Sequence, residues 1–111
     1  MLTENYMTAD RKKLYIEQNK DNSTLYCKLI GWLDPNTTPE LLDKINLEGV
    51  TSLVFDMQDV EYVFSSGLRA MLLFQKKLYE QGGTILLVNV SDSLRTIFEY
   101  TGFESMLEPK P

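Results

Sequence analysis

The sequence predicts a single α/β domain with a mixed β-sheet of four to five strands, a leading hairpin and three to four helices packed against the sheet. Two short apolar runs, "SLVFDM" and "TILLVNV", have the length and composition of buried strands. A helical pattern follows each run, and such alternation is typical of parallel strands joined by crossover helices. An earlier pair of strand-like runs makes the predicted sheet mixed.

The first predicted elements along the chain are the two strands of the hairpin. "KLYIEQ" (13–18) and "STLYCKLIG" (23–31) are strand-like, and "NKDN" (19–22) between them has the composition of a turn. We therefore expect the two strands to pair antiparallel.

A first helix is predicted after the proline-containing segment "WLDPNTTPE". Thr38 can cap this helix, Pro39 suits its first turn, and the charge of Glu40 complements the helix dipole. The helix should stop near Gly49, and its apolar residues should face one way: Leu41, Leu42 and Ile45.

The later elements alternate. "SLVFDM" (52–57) is predicted as a parallel strand, residues 66–81 as a helix, and "TILLVNV" (84–90) as a second parallel strand. A short helix should start after the cap residue Ser91 and end at Gly102, with one apolar face: Leu94, Ile97, Phe98 and Thr101. "FESMLEPKP" could add a last short strand.

The helix predicted at 66–81 has two distinct sides. Its core side contains Gly67, Ala70, Met71, Phe74 and Leu78, and its charged side contains Arg69, Lys76, Lys77 and Glu80. Glycine lowers helix stability by about 1 kcal/mol relative to alanine. Its presence on the core side at Gly67 therefore indicates close packing against the sheet, where a side chain would not fit. Leu72 and Leu73 lie beside the charged residues, and with Phe64 they could form an apolar contact patch.

Composition excludes several classes of partner. The formal net charge of −5 argues against nucleic acid and against charge-driven binding to an anionic membrane. No apolar run approaches the roughly 20 residues that span a bilayer, and the N-terminus lacks the apolar core of a secretory signal. We expect a cytoplasmic protein with one domain over residues 1–111, frayed over about ten N-terminal and four C-terminal residues.

The residue inventory also argues against an enzyme. The chain has no histidine and one cysteine, so it lacks the usual zinc ligands and the base of a Ser–His–Asp or Cys–His arrangement. Cys27 lies in the strand-like run "LYCKLI" and is expected to be a buried small hydrophobe. No phosphate-cradling glycine loop is present, and we predict no metal and no cofactor.

Ser65 and Ser66 open the helix in "YVFSSGLRAML". A serine at a helix N-terminus usually caps it, but the same geometry tolerates an attached phosphate. The residues alone leave both interpretations open.

Three segments carry a resemblance to a known family. "GWLDPNTTPELLDKI" contains Gly31, Leu33 and Asp34 before a helix; "LVFDMQDVEYVFSSGLRAML" joins a strand to a Ser-Ser-Gly-Leu turn; "GGTILLVNVSDSLRTIFEYTGFESML" closes with Thr-Gly-Phe. In these motifs and their order, nearly the whole chain resembles the STAS domains, in particular the bacterial anti-sigma factor antagonists.

The resemblance implies a partner switch. The unmodified protein would bind an anti-sigma factor, often also a serine kinase, and so free a sigma factor to regulate transcription. Phosphorylation of Ser65, with Ser66 as its neighbour, would abolish binding, and a phosphatase would reset the system. The expected partner-binding residues are Asp34, Phe64, Ser65, Ser66, Arg69, Leu72 and Leu73, and the expected structural glycines are Gly31, Gly67 and Gly102.

One residue departs from the family pattern. Phe64 stands where the family usually has an aspartate just before the acceptor serine. The departure motivates an alternative function: a STAS scaffold that is not phosphorylated and that serves as an accessory subunit of a sensor complex or a membrane transporter. The third hypothesis is an enzyme, which the residue inventory opposes; nucleotide binding, suggested for some relatives of the fold, stays open.

Overall fold

Pairing between two long strands forms the leading hairpin. The computed structural model describes residues 13–109 and places β1 at Leu14–Asp21 and β2 at Thr24–Leu33. The strands pair antiparallel, as predicted, and the pairing continues to Asp21 and Thr24. The turn predicted at 19–22 is wrong in extent, because the polar residues 19–21 belong to β1. Asn22, which has a φ of 55°, and Ser23 alone make the turn.

The remaining elements alternate as the sequence predicts. They are α1 (Thr38–Lys44), β3 (Ser52–Val63), α2 (Ser65–Glu80), β4 (Thr84–Val88), α3 (Asp92–Tyr100) and a closing 3₁₀ turn (Glu104–Met106). The sheet order is β1-β2-β3-β4, with β2, β3 and β4 mutually parallel. A mixed sheet of four strands with a leading hairpin and three α-helices confirms the predicted fold class. Residues 1–12 and 110–111, which include most of the ends expected to fray, lie outside the described residues.

Several predicted boundaries are wrong. α1 ends at Lys44 rather than near Gly49, and its N-cap position falls on Thr37 rather than Thr38. Leu42 is 38% exposed and does not join the buried face of Leu41 and Ile45. β4 ends at Val88, and the final short strand is replaced by the 3₁₀ turn and one isolated bridge between Leu87 and Leu107.

The core lies between the helices and one face of the sheet. All five residues predicted for the core side of α2 are buried, and so are Leu94 and Phe98 of α3. The Ser91 hydroxyl caps α3, as predicted, by accepting the Leu94 N–H at 3.3 Å. Gly102 follows α3 with a φ of 86°, and the next N–H, of Phe103, donates to the Phe98 carbonyl at 2.7 Å. This is a Schellman ending, which favours glycine at that position.

β3 is longer than predicted and contains two extra residues relative to β2. The pairing moves from Lys28–Asp56 to Ile30–Asp59, and again from Gly31–Val60 to Trp32–Tyr62. Each step inserts one residue into β3, as in a β-bulge, which bends and twists the strand. Buried side chains consequently occur at every third position at the end of β3: Met57, Val60 and Val63. The pairing of β3 with β4 ends at Asp56–Val88, whereas its pairing with β2 continues through the bulges to Leu33–Val63.

The burial of Cys27 predicts an unreactive thiol. Burial raises the pKa of this thiol to about 12. At pH 8 its thiolate fraction should therefore be about a thousandfold lower in the folded protein than in the unfolded chain. Titration with 5,5′-dithiobis(2-nitrobenzoic acid) should be slow in native buffer and fast in 6 M guanidinium chloride. Rapid modification of the folded protein would contradict the burial of this residue.

Candidate functional site

The candidate site lies where β2 and β3 end and α2 begins. Ser65 is the first residue of α2, and Phe64 occupies its N-cap position in an extended conformation. The Phe64 carbonyl accepts the Leu68 N–H at 3.1 Å, and no side chain makes a capping hydrogen bond. The interpretation of the serines as side-chain caps is therefore wrong, because Ser65 and Ser66 are the first two residues of the helix itself.

Close packing fixes the start of α2. A Cβ atom on Gly67 would lie 2.8 Å from Leu33 Cβ and 2.9 Å from Val63 Cγ1. The Phe64 N–H donates to the Leu33 carbonyl at 2.8 Å, directly beside this contact. The ends of β2 and β3 thus position the first turn of α2 through both packing and a backbone hydrogen bond.

The two serines have different surroundings. Ser65 is exposed, whereas Ser66 is half-buried and its hydroxyl lies 3.4 Å from the hydroxyl of Thr38, at the start of α1. Thr38 itself is buried. Of the two hydroxyl groups, that of Ser65 is the one more open to a modifying enzyme.

Asp34 holds the loop between β2 and α1. Its side chain is only 7% exposed, and Oδ1 accepts the N–H groups of Asn36 at 2.8 Å and Thr37 at 3.0 Å. The Thr37 hydroxyl donates to the Trp32 carbonyl at 2.7 Å. Asp34 therefore shapes the loop, and its carboxylate offers little surface for direct contact with a partner.

Gly31 makes a close approach at the start of β1. It has a φ of 120°, and a Cβ atom at this position would collide with the carbonyl oxygen of Lys13. A side chain here would both strain the backbone of β2 and push β1 away. Gly31 thus serves the hairpin and lies outside the exposed surface around Ser65.

An aromatic cluster stands beside Ser65, formed by Trp32, Tyr62 and Phe64. The Phe64 ring is tilted against that of Trp32, with centroids 5.9 Å apart, and meets the Tyr62 ring edge to face, with centroids 4.8 Å apart. Trp32 Nε1 donates to Glu61 Oε1 at 2.7 Å, which fixes the indole. Trp32 and Tyr62 are not among the site residues predicted from the sequence; aromatic residues at the ends of two adjacent strands were the signal that could have indicated them.

The outward face of α2 continues the exposed surface. Phe64, Leu72 and Leu73 are 38%, 37% and 49% exposed, and Arg69 is also exposed. Five of the seven residues predicted to bind a partner are thus accessible: Phe64, Ser65, Arg69, Leu72 and Leu73. Asp34 is buried and Ser66 half-buried, so the structure does not bring these two onto the same open surface.

A cluster of polar residues joins β2, β3 and the end of β4, away from Ser65. Lys28 Nζ lies 3.1 Å from Asp59 Oδ2, and the hydrogen bond to Asp59 raises the pKa of the lysine. Asp56 Oδ1 accepts the Gln58 N–H at 3.1 Å and an N–H of the Asn89 amide at 3.0 Å. These contacts stabilise the bulged part of β3 and its junction with β4.

Residues 13–109 contain no cluster of three histidine, cysteine, aspartate or glutamate residues able to hold a metal ion. Within the same residues, none of the helices has the length and apolar character needed to span a membrane.

Comparison with known proteins identifies the family. Residues 15–111 match the family model of the STAS domain. The chain belongs to the STAS domain family. This confirms the family that the three sequence motifs predicted.

Relatives of this STAS domain include named regulators. The anti-sigma-B factor antagonist of Staphylococcus aureus (strain NCTC 8325 / PS 47) is 28% identical over 97 residues, covering 85% of this chain and 90% of that protein. The structure of the unphosphorylated anti-sigma factor antagonist SpoIIAA matches with a TM-score of 0.77 at 20% identity, covering 87% and 89% of the two chains. A sulfate transporter family protein from Wolinella succinogenes matches with a TM-score of 0.66 at 22% identity, covering 80% and 79%. Both structural matches concern the fold.

The contact at Gly67 gives a stability prediction for this STAS domain. Gly67→Ala should lower the free energy of unfolding by up to about 2 kcal/mol, because the added methyl group overpacks Leu33 and Val63 at a cost of about 1–3 kcal/mol and regains only about 1 kcal/mol in helix propensity. Ser65→Ala is the matched control in the same turn and should change the free energy by less than about 0.5 kcal/mol. Urea unfolding measures both, and a more stable Gly67→Ala variant would contradict the proposed packing role.

Proposed function

We propose that this STAS protein is an anti-sigma factor antagonist that binds an anti-sigma factor and is controlled by phosphorylation of Ser65. One observation carries the proposal: the exposed Ser65 hydroxyl lies on the first turn of α2, between the aromatic cluster and the exposed Leu72 and Leu73. A partner that covers these apolar side chains would enclose Ser65 in the interface. The Staphylococcus aureus relative, named an anti-sigma-B factor antagonist, supports this choice of partner.

The proposed control uses the charge of the phosphate. The anti-sigma factor acts as a serine kinase: the γ-phosphoryl group of ATP passes to Ser65 Oγ, ADP leaves, and the hydroxyl proton goes to a base of the kinase. The modified serine carries a charge of about −1.5 to −2. Burying that charge against Phe64 and Leu72 is unfavourable, so the complex dissociates. A phosphatase returns the hydroxyl group and restores binding.

The STAS protein is then a substrate and a binding module with no catalysis of its own. It works in the cytoplasm, where sigma factors and their regulators meet RNA polymerase. Neither nucleic acid nor membrane insertion enters this cycle, which agrees with the net charge of −5.

Phe64 favours a second candidate function, a scaffold that is not phosphorylated. The Phe64 ring packs with Trp32 and Tyr62 and offers no oxygen to orient the Ser65 hydroxyl. In this case the aromatic cluster would bind a sensor complex or a transporter permanently. The fold-level likeness to the Wolinella succinogenes protein, described as of the sulfate transporter family, is consistent with such a role.

Replacements at Ser65 separate the two candidates. With the anti-sigma factor encoded nearest to this gene, Ser65→Asp should bind at least about 100-fold more weakly than wild type, because a carboxylate enters an apolar contact. Ser65→Ala should bind as wild type does. Ser93→Asp is the matched control, since Ser93 is an exposed serine in the first turn of α3. Isothermal titration calorimetry measures all three.

Unchanged binding of Ser65→Asp would contradict the switch and favour the scaffold. A second measurement tests the modification directly: incubation with the anti-sigma factor and ATP, followed by mass spectrometry. The phosphate should be found on Ser65 and absent from Ser66, whose hydroxyl is half-buried against Thr38. Absence of both binding and phosphate would exclude the proposed antagonist function.

A further inference from the structure

Arg69 lies one helical turn after Ser65 on the outward side of α2. Residues four apart on a helix are surface neighbours, with Cβ atoms about 5–6 Å apart. Arg69 is exposed, as Ser65 is. Its helical neighbours three and four residues away are Ser65, Ser66, Leu72 and Leu73. None of these is a carboxylate, and the only acidic residue of α2 is Glu80 at its end.

The guanidinium group of Arg69 has no counter-ion in the part of the chain that the structure describes. Among residues 13–109 it forms neither an ion pair nor a hydrogen bond. Carboxylates on the adjoining elements have other contacts: Glu61 at the end of β3 accepts the Trp32 indole N–H, and Glu40 in α1 lies 3.5 Å from Lys44 Nζ. The side chain best placed to bring an anion to Arg69 is therefore that of Ser65, once it is modified.

We propose that Arg69 is the residue that binds the phosphate on Ser65, an inference that rests on the proposed function. The planar guanidinium group can donate two parallel hydrogen bonds to phosphate oxygens. The order along the helix is favourable, because the anion precedes the cation by four residues. The phosphate is thereby held along the outward face of α2, on the side that carries Leu72.

This pairing gives phosphorylation two effects on the same surface. In the unmodified protein, the Arg69 guanidinium group extends from the face proposed to meet the anti-sigma factor and is available to an acidic group of that partner. After modification, Arg69 is drawn onto the phosphate of its own chain. The partner then meets a new negative charge and also loses a positive one, so that one modification reverses the charge pattern of the surface.

The test uses phosphoserine incorporated at position 65 during translation, so that neither the kinase nor the partner is needed. Phosphorus NMR titration should give a second phosphate pKa that is lower by about 0.5 unit in the otherwise wild-type protein than in Arg69→Gln, because Arg69 favours the dianion. Arg69→Lys should retain much of the shift, since the charge remains. Lys76→Gln is the matched control: it removes a cation from the same helix, almost two turns beyond Arg69, and should leave the phosphate pKa unchanged.

Equal phosphate pKa values in the wild-type and Arg69→Gln backgrounds would overturn the inference, as would an equal shift from Lys76→Gln. The same samples separate this inference from the proposed function. If the shift depends on Arg69 but phosphoserine-65 protein still binds the anti-sigma factor, the pairing stands and the proposed switch fails. If binding is lost without any Arg69-dependent shift, the switch stands and the pairing is wrong.

Discussion

The contact of Gly67 with Leu33 and Val63 is the constraint on which the candidate site depends. It brings the backbone of α2 against the last residues of β2 and β3, with no side chain between them. The hydrogen bond from the Phe64 N–H to the Leu33 carbonyl lies beside it and fixes the direction in which the chain enters the helix. A functional group held by packed secondary structure keeps its position better than one on a free loop. Ser65 is exposed, yet the backbone that carries it is held by the core.

The two bulges in β3 set the register in which the strand reaches that contact. Without the two extra residues, strict alternation would turn Val60 to the outer face of the sheet, and Tyr62 would no longer be paired with Trp32. With them, both valines are buried while Tyr62 points outward to meet the ring of Phe64. The same irregularity that packs the base of the site therefore also builds the aromatic cluster beside Ser65. Packing and the proposed recognition surface have a common origin in the register of β3 against β2.

The sequence predicts those features that depend on local periodicity. The buried side of α2, the Ser91 cap and the order of the elements follow from spacing alone, and the structure has all of them. Features that depend on pairing between distant segments could not be predicted in this way. The length of β1 is decided by its pairing with β2, and the bulges by the register between β2 and β3. The helix start was misplaced by one position for a similar reason. The polar side chains of the serines predicted an N-cap there, but Phe64 occupies the N-cap position, because its backbone N–H is held by the Leu33 carbonyl.

The presence of Phe64 in place of the family's usual aspartate affects the surface beside Ser65 and not the position of the serine. In this structure the backbone of residue 64 does the positioning: its N–H binds the Leu33 carbonyl, and its carbonyl accepts the Leu68 N–H. Neither bond uses the side chain, so a phenyl ring in place of a carboxylate leaves the placement of Ser65 unchanged. What the ring alters is the surface, where it replaces a hydrogen-bond acceptor with an apolar group packed on Trp32 and Tyr62. The placement of Ser65 and the chemistry of its neighbour are thus separable: under the proposed function, residue 64 would select the partner that can cover Ser65 without moving the serine itself.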